Sequence, residues 1–361
     1  MDRRNFMKAA AAGAAVTVMP RGFAATGESR PWRTFEVTTR VELVQAQGLC
    51  RAWLPLPLAQ PTDYFKMLGN EWKGNMAQAT VLTEARYGSG LLAVEWKDGE
   101  AAPVVELVSR FQTRNRKVDL NVAGMVPRED PAQLKLYLAP TEYIPTDGIV
   151  RDTAQRIVRE AKARTDLEKA RAIYDWVVEN TVRDPKTRGC GVGDVKYMLE
   201  ANALSGKCAD LNAIFVGLAR AAGIPARDVY GIRVANSDRG YKSLGKAGDI
   251  TKAQHCRAEF YLAGHGWVPV DPADVRKVIL EEKPGLTLND DIVKEARSML
   301  FGGWEMNWLA YNYAHDLSLP GSAGAKVPFL MYPQAESAQG RHDSLDPDNF
   351  KYRISSREIT T

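Results

Sequence analysis

Residues 205–223 read SGKCADLNAIFVGLARAAG, and the apolar residues of this segment recur with the period of a helix. They follow the spacing i, i+3, i+4 and i+7 and comprise Leu211, Ile214, Phe215, Leu218, Ala219 and Ala222. This pattern predicts a helix with one face against a core, ended by Gly223. Cys208 falls in its first turn, where unpaired backbone N–H groups and the helix dipole favour a thiolate over a thiol. The segment therefore predicts a nucleophilic cysteine.

A thiolate that attacks an amide also needs a proton donor for the leaving nitrogen and a group that orients this donor. The chain has four histidines, and His255 opens a stretch, 255–262, whose alternation predicts a strand. A turn at 263–266 and a returning strand up to Asp271 complete a predicted hairpin, which would bring Asp271 close to His255. Cys208, His255 and Asp271 thus form a predicted thiol triad. His265, at the tip of the turn, is the weaker candidate for the base.

Four linked motifs extend this prediction. They are GKC at 206–208, LARAAGIPARDVYG at 218–231, HCRAEFY at 255–261 and GWVPVDP at 266–272. Together, within residues 172–273, they resemble the core of the transglutaminase-like superfamily. The resemblance implies a papain-like core, in which the helix with the cysteine packs on an antiparallel sheet. It also implies that Cys208 is the nucleophile, His255 the general base and acid, and Asp271 its orienting partner.

One departure from the family pattern concerns the residues after the histidine. Many members of the family have an aromatic residue there, whereas this chain has Cys256 and Arg257. The substrate preference of the family therefore transfers less directly than the triad.

Residues 1–25 have the features of an export signal. Arg3 and Arg4 precede a short apolar run at 9–19, and small residues follow near 22–24. They predict a signal peptide that the twin-arginine export machinery recognises and that is removed in the periplasm or elsewhere outside the cytoplasm, an uncleaved anchor being the alternative. Removing its four basic and one acidic residues lowers the net charge by three, from +4 to +1, which argues against a nucleic-acid partner. No later segment has the roughly 18 consecutive apolar residues of a membrane span, so we expect none in the mature protein.

The rest of the 361-residue chain is long enough for two or three domains, and its pattern predicts an α+β protein. Short strands punctuated by Gly, Asn and Pro predict a β-rich, sandwich-like N-terminal domain at 32–138. A proline-bearing connector separates it from a transglutaminase-like catalytic core at 149–275, which begins with two amphipathic helices, the second capped by Thr165 or Asp166. Residues 276–361 are predicted to be a C-terminal extension packed on this core.

The other cysteines leave two alternatives open. Four potential zinc ligands are Cys190, Cys208, Cys256 and His255. However, the chain has no C-x-x-C pair, and adjacent residues of a strand, such as 255 and 256, point to opposite faces. We therefore expect no metal and no cofactor. A disulfide among Cys50, Cys190 and Cys256 would be permitted after export, and the sequence selects no pair.

These observations predict an exported, thiol-dependent acyl-transfer enzyme that acts on amide bonds of proteins or peptides. With water as the acyl acceptor it would be a peptidase or amidase, and with an amine it would be a transglutaminase. The lack of a D-x-D-x-D-G calcium loop favours hydrolysis. Peptidoglycan stem peptide is one candidate substrate. The alternative is a non-catalytic exported binding module that retains the transglutaminase-like fold.

Overall fold

The computed structural model describes residues 31–122, 124, 126–348 and 350–360, so the predicted signal peptide at 1–25 lies outside the described residues. The first strands are β1 (Arg33–Glu42), β2 (Arg51–Pro55), β3 (Phe65–Gly74), β4 (Gln78–Thr83), β5 (Gly90–Glu95), β6 (Val104–Thr113) and β7 (Arg116–Lys117). Five helices follow, α1 (Pro131–Leu136), α2 (Gly148–Glu160), α3 (Asp166–Asn180), α4 (Val195–Glu200) and α5 (Cys208–Ala221), with the short strands β8 (Val182–Arg183) and β9 (Ser205–Gly206).

The second half of the chain alternates strands and helices. It contains β10 (Ala226–Arg233), a 3-10 helix (Lys242–Leu244), β11 (Gly248–Asp249), β12 (Arg257–Leu262), β13 (Gly266–Val270), α6 (Pro272–Glu281) and α7 (Asp291–Met299). The last strands are β14 (Gly303–Trp304), β15 (Trp308–Asn312), β16 (Gln334–Ser337), β17 (Gly340–Arg341) and β18 (Tyr352–Ile359).

Two five-stranded antiparallel sheets are built around the N-terminal strands. Their strand orders are β11-β18-β1-β6-β3 and β17-β16-β2-β5-β4. Alternate residues of β1 and β6 are buried, and residues of both sheets belong to one hydrophobic cluster. This alternating burial is typical of a sheet that has one face against a core and the other face in water. The predicted α+β class is confirmed.

Each of these sheets also takes strands from the far end of the chain. β18 pairs with β1 over Thr34–Val41, and β16 pairs with β2. The sequence prediction assigned 276–361 to an extension packed on the core and did not foresee these strands. It also did not predict β3, which lies at a sheet edge and is mostly exposed, so that it lacks an apolar pattern.

A third sheet, ordered β13-β12-β10-β15, supports α5. The sequence predicted one buried face for α5, but all of its residues from Cys208 to Arg220 are buried. The reason is that α2, α3 and α6 contact the sides of α5 that the sheet leaves uncovered. A helix surrounded in this way belongs to the centre of a domain.

The hairpin that carries the histidine differs from the prediction at its start. β12 begins at Arg257, and residue 255 precedes it. β10 pairs with β12 only up to Val229 and with β15 from Tyr230 onward. This change of partner leaves His255 outside the regular ladder, held by a hydrogen bond from its N–H to the Gly231 carbonyl (2.9 Å).

The end of the hairpin and the start of α3 follow local rules. Asp271 directly follows β13 and caps α6, because its side chain accepts a hydrogen bond from the Asp274 N–H (3.1 Å). Thr165 caps α3 in a capping box with Glu168. None of the helices in the described part of the chain has the length and apolar composition that a bilayer crossing requires.

Candidate active site

Cys208 is the first residue of α5, and its surroundings hold this helix start in place. The Asp210 carboxylate accepts hydrogen bonds from the N–H groups of Lys207 (2.9 Å), Val192 (3.0 Å) and Gly193 (2.9 Å). It thereby ties the preceding loop to the first turn of the helix. Gly191 allows this contact, because its φ is +90° and an added Cβ would lie 1.8 Å from the carboxylate.

The hairpin brings His255 and Asp271 into direct contact. His255 Nε2 lies 2.7 Å from Asp271 Oδ2, and both side chains are buried. The other carboxylate oxygen of Asp271 accepts a hydrogen bond from Asn212 Nδ2 (3.3 Å). Trp308 Nε1 donates to the His255 carbonyl (2.9 Å), so the main chain of the histidine is also held. The imidazole is therefore restrained at its ring and at its backbone.

Neighbouring groups shift the pKa values of the cysteine and the histidine. Burial alone would raise the pKa of Cys208, but hydrogen bonds from the Cys190 and Cys256 thiols and from His255 hold this pKa well below its usual value. Burial and Arg233 would lower the pKa of His255, but Asp274 and Asp271 outweigh them and raise it to about 9. Both shifts favour the charged forms, the thiolate of Cys208 and the imidazolium of His255.

Comparisons with known proteins identify the family of the chain. Residues 151–272 match the family model of the transglutaminase-like superfamily, and residues 1–20 match the twin-arginine translocation pathway signal sequence. The chain is 36% identical over 343 residues to an uncharacterized protein of Haemophilus influenzae, covering 90% of this chain and 91% of that one. The chain belongs to the transglutaminase-like superfamily. The predicted family and the predicted export through a twin-arginine signal are thus confirmed.

The fold of this transglutaminase-like protein also has a solved counterpart. The crystal structure of a candidate cysteine protease from Cytophaga hutchinsonii superposes with a TM-score of 0.56 and covers 92% of each chain. The sequence identity between the two is 13%, so the likeness concerns the fold. The predicted papain-like architecture is confirmed.

A second carboxylate, which sequence reasoning missed, faces the same histidine. Asp274 Oδ2 lies 3.3 Å from His255 Nε2, and Asp274 Oδ1 lies 2.6 Å from Arg233 Nη2. Burial would raise the pKa of Asp274, but Arg233 and His255 hold it well below its usual value. The sequence signal that could have revealed Asp274 is the D-P-A-D spacing at 271–274, which places Asp271 at the N-cap and Asp274 in the first turn of α6. Nothing in the sequence marks Arg233.

His255 and its two neighbouring carboxylates form a set of potential metal ligands. The ligand atoms of His255, Asp271 and Asp274 lie within 4.8 Å of one another. Two guanidinium groups, however, already face these carboxylates. Arg233 contacts Asp274, and Arg257 Nε lies 3.6 Å from Asp271 Oδ2. A divalent cation here would be repelled by both arginines, so the donor set does not fit a metal.

The structure corrects one expectation about the residues next to Cys208. His255 and Cys256 were expected to point to opposite faces of a strand, yet both side chains hydrogen-bond to Cys208. The strand rule does not apply because β12 begins only at Arg257. All four cysteines are free thiols, and Cys190, Cys208 and Cys256 form one cluster, which we call the thiol cluster.

The C-terminal segment closes over the loop that carries Cys190. The Tyr332 hydroxyl hydrogen-bonds to Cys190, Leu345 packs against Gly189, and Arg188 forms an ion pair with Asp343. Cys208 itself is only 4% exposed.

A surface groove of about 260 Å³ lies nearby. It is lined by Glu142, Tyr143, Ala325, Lys326, Val327 and Pro328. A narrower depression shares Tyr143 and Pro328 with this groove and reaches Ala209, the residue after Cys208. The narrower depression is thus lined in part by the first turn of α5, but not by Cys208 itself.

Proposed function

We propose that this protein is an exported acyl-transfer enzyme that acts on amide bonds of proteins or peptides through Cys208, His255 and Asp271. One observation carries the proposal. A thiol begins helix α5, neighbouring thiols and an imidazole lower its pKa, and a buried carboxylate holds that imidazole at 2.7 Å. This is the arrangement that thiol nucleophiles require on any fold.

In the first step, Cys208 Sγ attacks the amide carbonyl carbon and the carbonyl oxygen becomes an oxyanion. The N–H of Cys208 is the proposed donor to this oxyanion, because it precedes the repeating hydrogen bonds of α5. The neighbouring Ala209 N–H is already bonded to the Cys190 carbonyl (2.9 Å).

In the second step, His255 gives its proton to the departing nitrogen, the C–N bond breaks, and a thioester to Cys208 remains. The Asp271 carboxylate hydrogen-bonds to Nε2 of His255. Nδ1 is therefore the ring nitrogen that exchanges protons with the thiol and the leaving group. Water or an amine then attacks the thioester, His255 accepts the proton of the attacking group, and the thiolate leaves. The product is a carboxylate or a new amide.

We assign Asp274 and Arg233 to positioning. Asp274 adds a second negative charge at the imidazole, which favours the protonated form. Arg233 neutralises Asp274 and holds it by a 2.6 Å ion pair, while it donates to the Leu244 carbonyl (2.7 Å). The second acid thus stabilises the imidazolium without adding an unbalanced buried charge.

The first test is alkylation of the folded, mature protein with iodoacetamide at mildly acidic pH, followed by peptide mapping. We expect one adduct, at Cys208, and none in Cys208→Ala. Cys50→Ala is the matched control, because Cys50 is also buried but its thiol hydrogen-bonds only to the Gly48 carbonyl among its described neighbours. It should be alkylated at Cys208 like the wild type. A Cys208 that reacts only after unfolding would favour the non-catalytic binding module.

The second test identifies the acceptor and the substrate class. Purified protein is incubated with a peptide mixture, with or without a primary amine, and with peptidoglycan fragments, and the products are analysed by mass spectrometry. Released amine with a new carboxylate indicates hydrolysis, and incorporation of the added amine indicates transfer. Products that form equally with Cys208→Ala would contradict the proposal.

A further inference from the structure

The thiol cluster contains two sulfurs that the proposed reaction does not use. Cys190 lies between the elements that carry the nucleophile and the base. Its carbonyl accepts a hydrogen bond from the Ala209 N–H (2.9 Å), and its sulfur lies 3.3 Å from the Gln254 carbonyl oxygen. The thiols of Cys190 and Cys256 both contact Cys208.

The two extra thiols differ in their freedom to move. Cys256 is fully buried, and Asn212 Nδ2 holds its carbonyl at 2.8 Å. Cys190 lies in a loop between Gly189 (φ +57°) and Gly191 (φ +90°), where the backbone is irregular. A covalent bond between two thiols requires the sulfurs to approach to about 2 Å, which needs a local shift. We expect the loop that carries Cys190, which is neither helix nor strand, to make this shift rather than the segment before β12 that carries Cys256.

We propose that Cys190 is a resolving thiol, which captures Cys208 as a disulfide when a peroxide oxidises the nucleophile. This inference rests on the reactivity proposed for Cys208. The protein is exported, so it leaves the cytoplasm, where thioredoxin and glutathione keep thiols reduced. A nucleophilic thiolate there needs protection from irreversible oxidation.

The first step of this chemistry forms a sulfenic acid. The Cys208 thiolate attacks one oxygen of hydrogen peroxide, an S–O bond forms and the O–O bond breaks. The departing hydroxide takes the proton of the His255 imidazolium and leaves as water. Sulfur is oxidised by two electrons, and the peroxide is reduced.

The second step forms the disulfide. The Cys190 sulfur attacks the sulfenyl sulfur of Cys208, the S–O bond breaks, and the hydroxide leaves as water with the Cys190 proton. The charges in the cluster favour this order of events. The pKa of Cys190 is raised chiefly by its hydrogen bond to the Cys208 thiolate. Oxidation of Cys208 removes that negative charge, so the Cys190 thiol becomes more acidic at the moment when it must attack.

The consequence is a reversible block at the active site. A disulfide between 190 and 208 removes the nucleophile but stops oxidation before the sulfinic acid, which thiols cannot reduce. A dithiol reductant would restore the thiolate.

The experiment treats the folded, mature protein with hydrogen peroxide, traps free thiols by alkylation and maps the peptides without reduction. In the wild type we expect a peptide linked between 190 and 208, and little adduct of dimedone, the sulfenic-acid probe, at Cys208. In Cys190→Ser the linked peptide is absent, the dimedone adduct at Cys208 rises at least about fivefold, and sulfinic acid accumulates. Cys50→Ser, which lies outside the thiol cluster, should behave like the wild type, and Cys256→Ser should still form the linkage between 190 and 208.

Two outcomes would overturn the inference. They are a linkage of 208 to 256 instead of 190, or an iodoacetamide-reactive Cys208 that forms no disulfide with peroxide in the wild type. The peptide map of the wild-type protein tests the disulfide without any variant, so it does not depend on whether a variant folds. Cys190→Ala is a second variant that removes the thiol of residue 190. A Cys208 that reacts with neither iodoacetamide nor peroxide would instead contradict the proposed function as well, so the two failures are distinguishable.

Discussion

Two clusters of buried charge lie along the strands β10 and β12, and they differ in whether their groups can titrate. In the first, the Glu259 carboxylate receives hydrogen bonds from Arg227 (2.7 Å) and Arg116 (2.5 Å), and Arg227 is stacked on Trp267 and Tyr313. We call this the Glu259 cluster. The second, the His255 cluster, consists of His255, Asp271, Asp274, Arg233 and Arg257.

The Glu259 cluster consists of groups that keep their charges. Its cations are guanidinium groups, and burial would raise the pKa of Glu259 but Arg227 and Arg116 hold it below its usual value. The His255 cluster has the same ingredients plus one imidazole, whose pKa is raised to about 9, and one thiol whose pKa this imidazole helps to lower. Buried charge alone therefore does not mark an active site in this fold. The feature that distinguishes the proposed active site is a buried titratable group next to the proposed nucleophile.

The largest effect we expect is on turnover, from Asp271→Ala. Without the carboxylate, His255 Nε2 loses its 2.7 Å partner, and the imidazole is no longer held towards Cys208. The rate of amide turnover per folded molecule should fall about 10³-fold or more. Asp249→Asn, which changes an exposed carboxylate, should leave the rate unchanged. Turnover within threefold of the wild type would remove Asp271 from the triad.

A change in the Glu259 cluster should affect the stability of the protein. Glu259→Gln leaves two buried guanidinium groups without their carboxylate, which should lower the free energy of unfolding by about 3–5 kcal/mol. The control is Glu358→Gln, whose ion pair with Arg33 is solvent-exposed and should change it by less than about 1 kcal/mol. Denaturant unfolding measures both. A pH profile of alkylation at Cys208 that shifts in Glu259→Gln would break the distinction between the clusters.

A pH dependence of stability should appear when the thiol is removed. The pKa of His255 is raised from 6.5 to about 9, so its contribution to stability is complete below pH 6.5 and is lost as the pH rises through 9. The lowered pKa of Cys208 acts in the opposite direction, because its stabilisation grows as the pH rises towards its unfolded pKa of 9.0.

In the wild type these two effects oppose each other, so the free energy of unfolding should be nearly flat between pH 6.5 and 9. In Cys208→Ser only the histidine remains, and the free energy should fall by up to about 1.4 kcal/mol per pH unit in the same range. Denaturant unfolding at several pH values compares the two proteins. Equal slopes would show that the cysteine and the histidine do not form a charge pair.

The smallest effect should come from Asp274→Asn. Removing this negative charge lowers the pKa of His255 below its value of about 9, so the imidazolium that protonates the leaving nitrogen is lost at lower pH. The falling limb of the pH dependence of kcat/KM should therefore move to lower pH, while the rate at neutral pH falls no more than about tenfold. An unshifted limb with reduced stability would make Asp274 a purely structural residue.

Much of the candidate site could be predicted because its parts are local. The helical period after Leu211 placed Cys208 at a helix start, and the hairpin length placed Asp271 beside His255. The capping residue Thr165 followed from turn and cap chemistry. Each of these features depends on residues close together in the chain, where propensity and periodicity act.

The sequence by itself therefore determined the family, the export signal, the order of the three triad candidates and the local elements that carry them. Only the tertiary structure decided that Cys190 lies beside Cys208, that Arg233 neutralises Asp274 and that β18 completes the first sheet. These contacts join segments far apart in the chain. They arise because buried charges and thiols must find partners in the packed interior, and no local pattern encodes which partners the packing supplies.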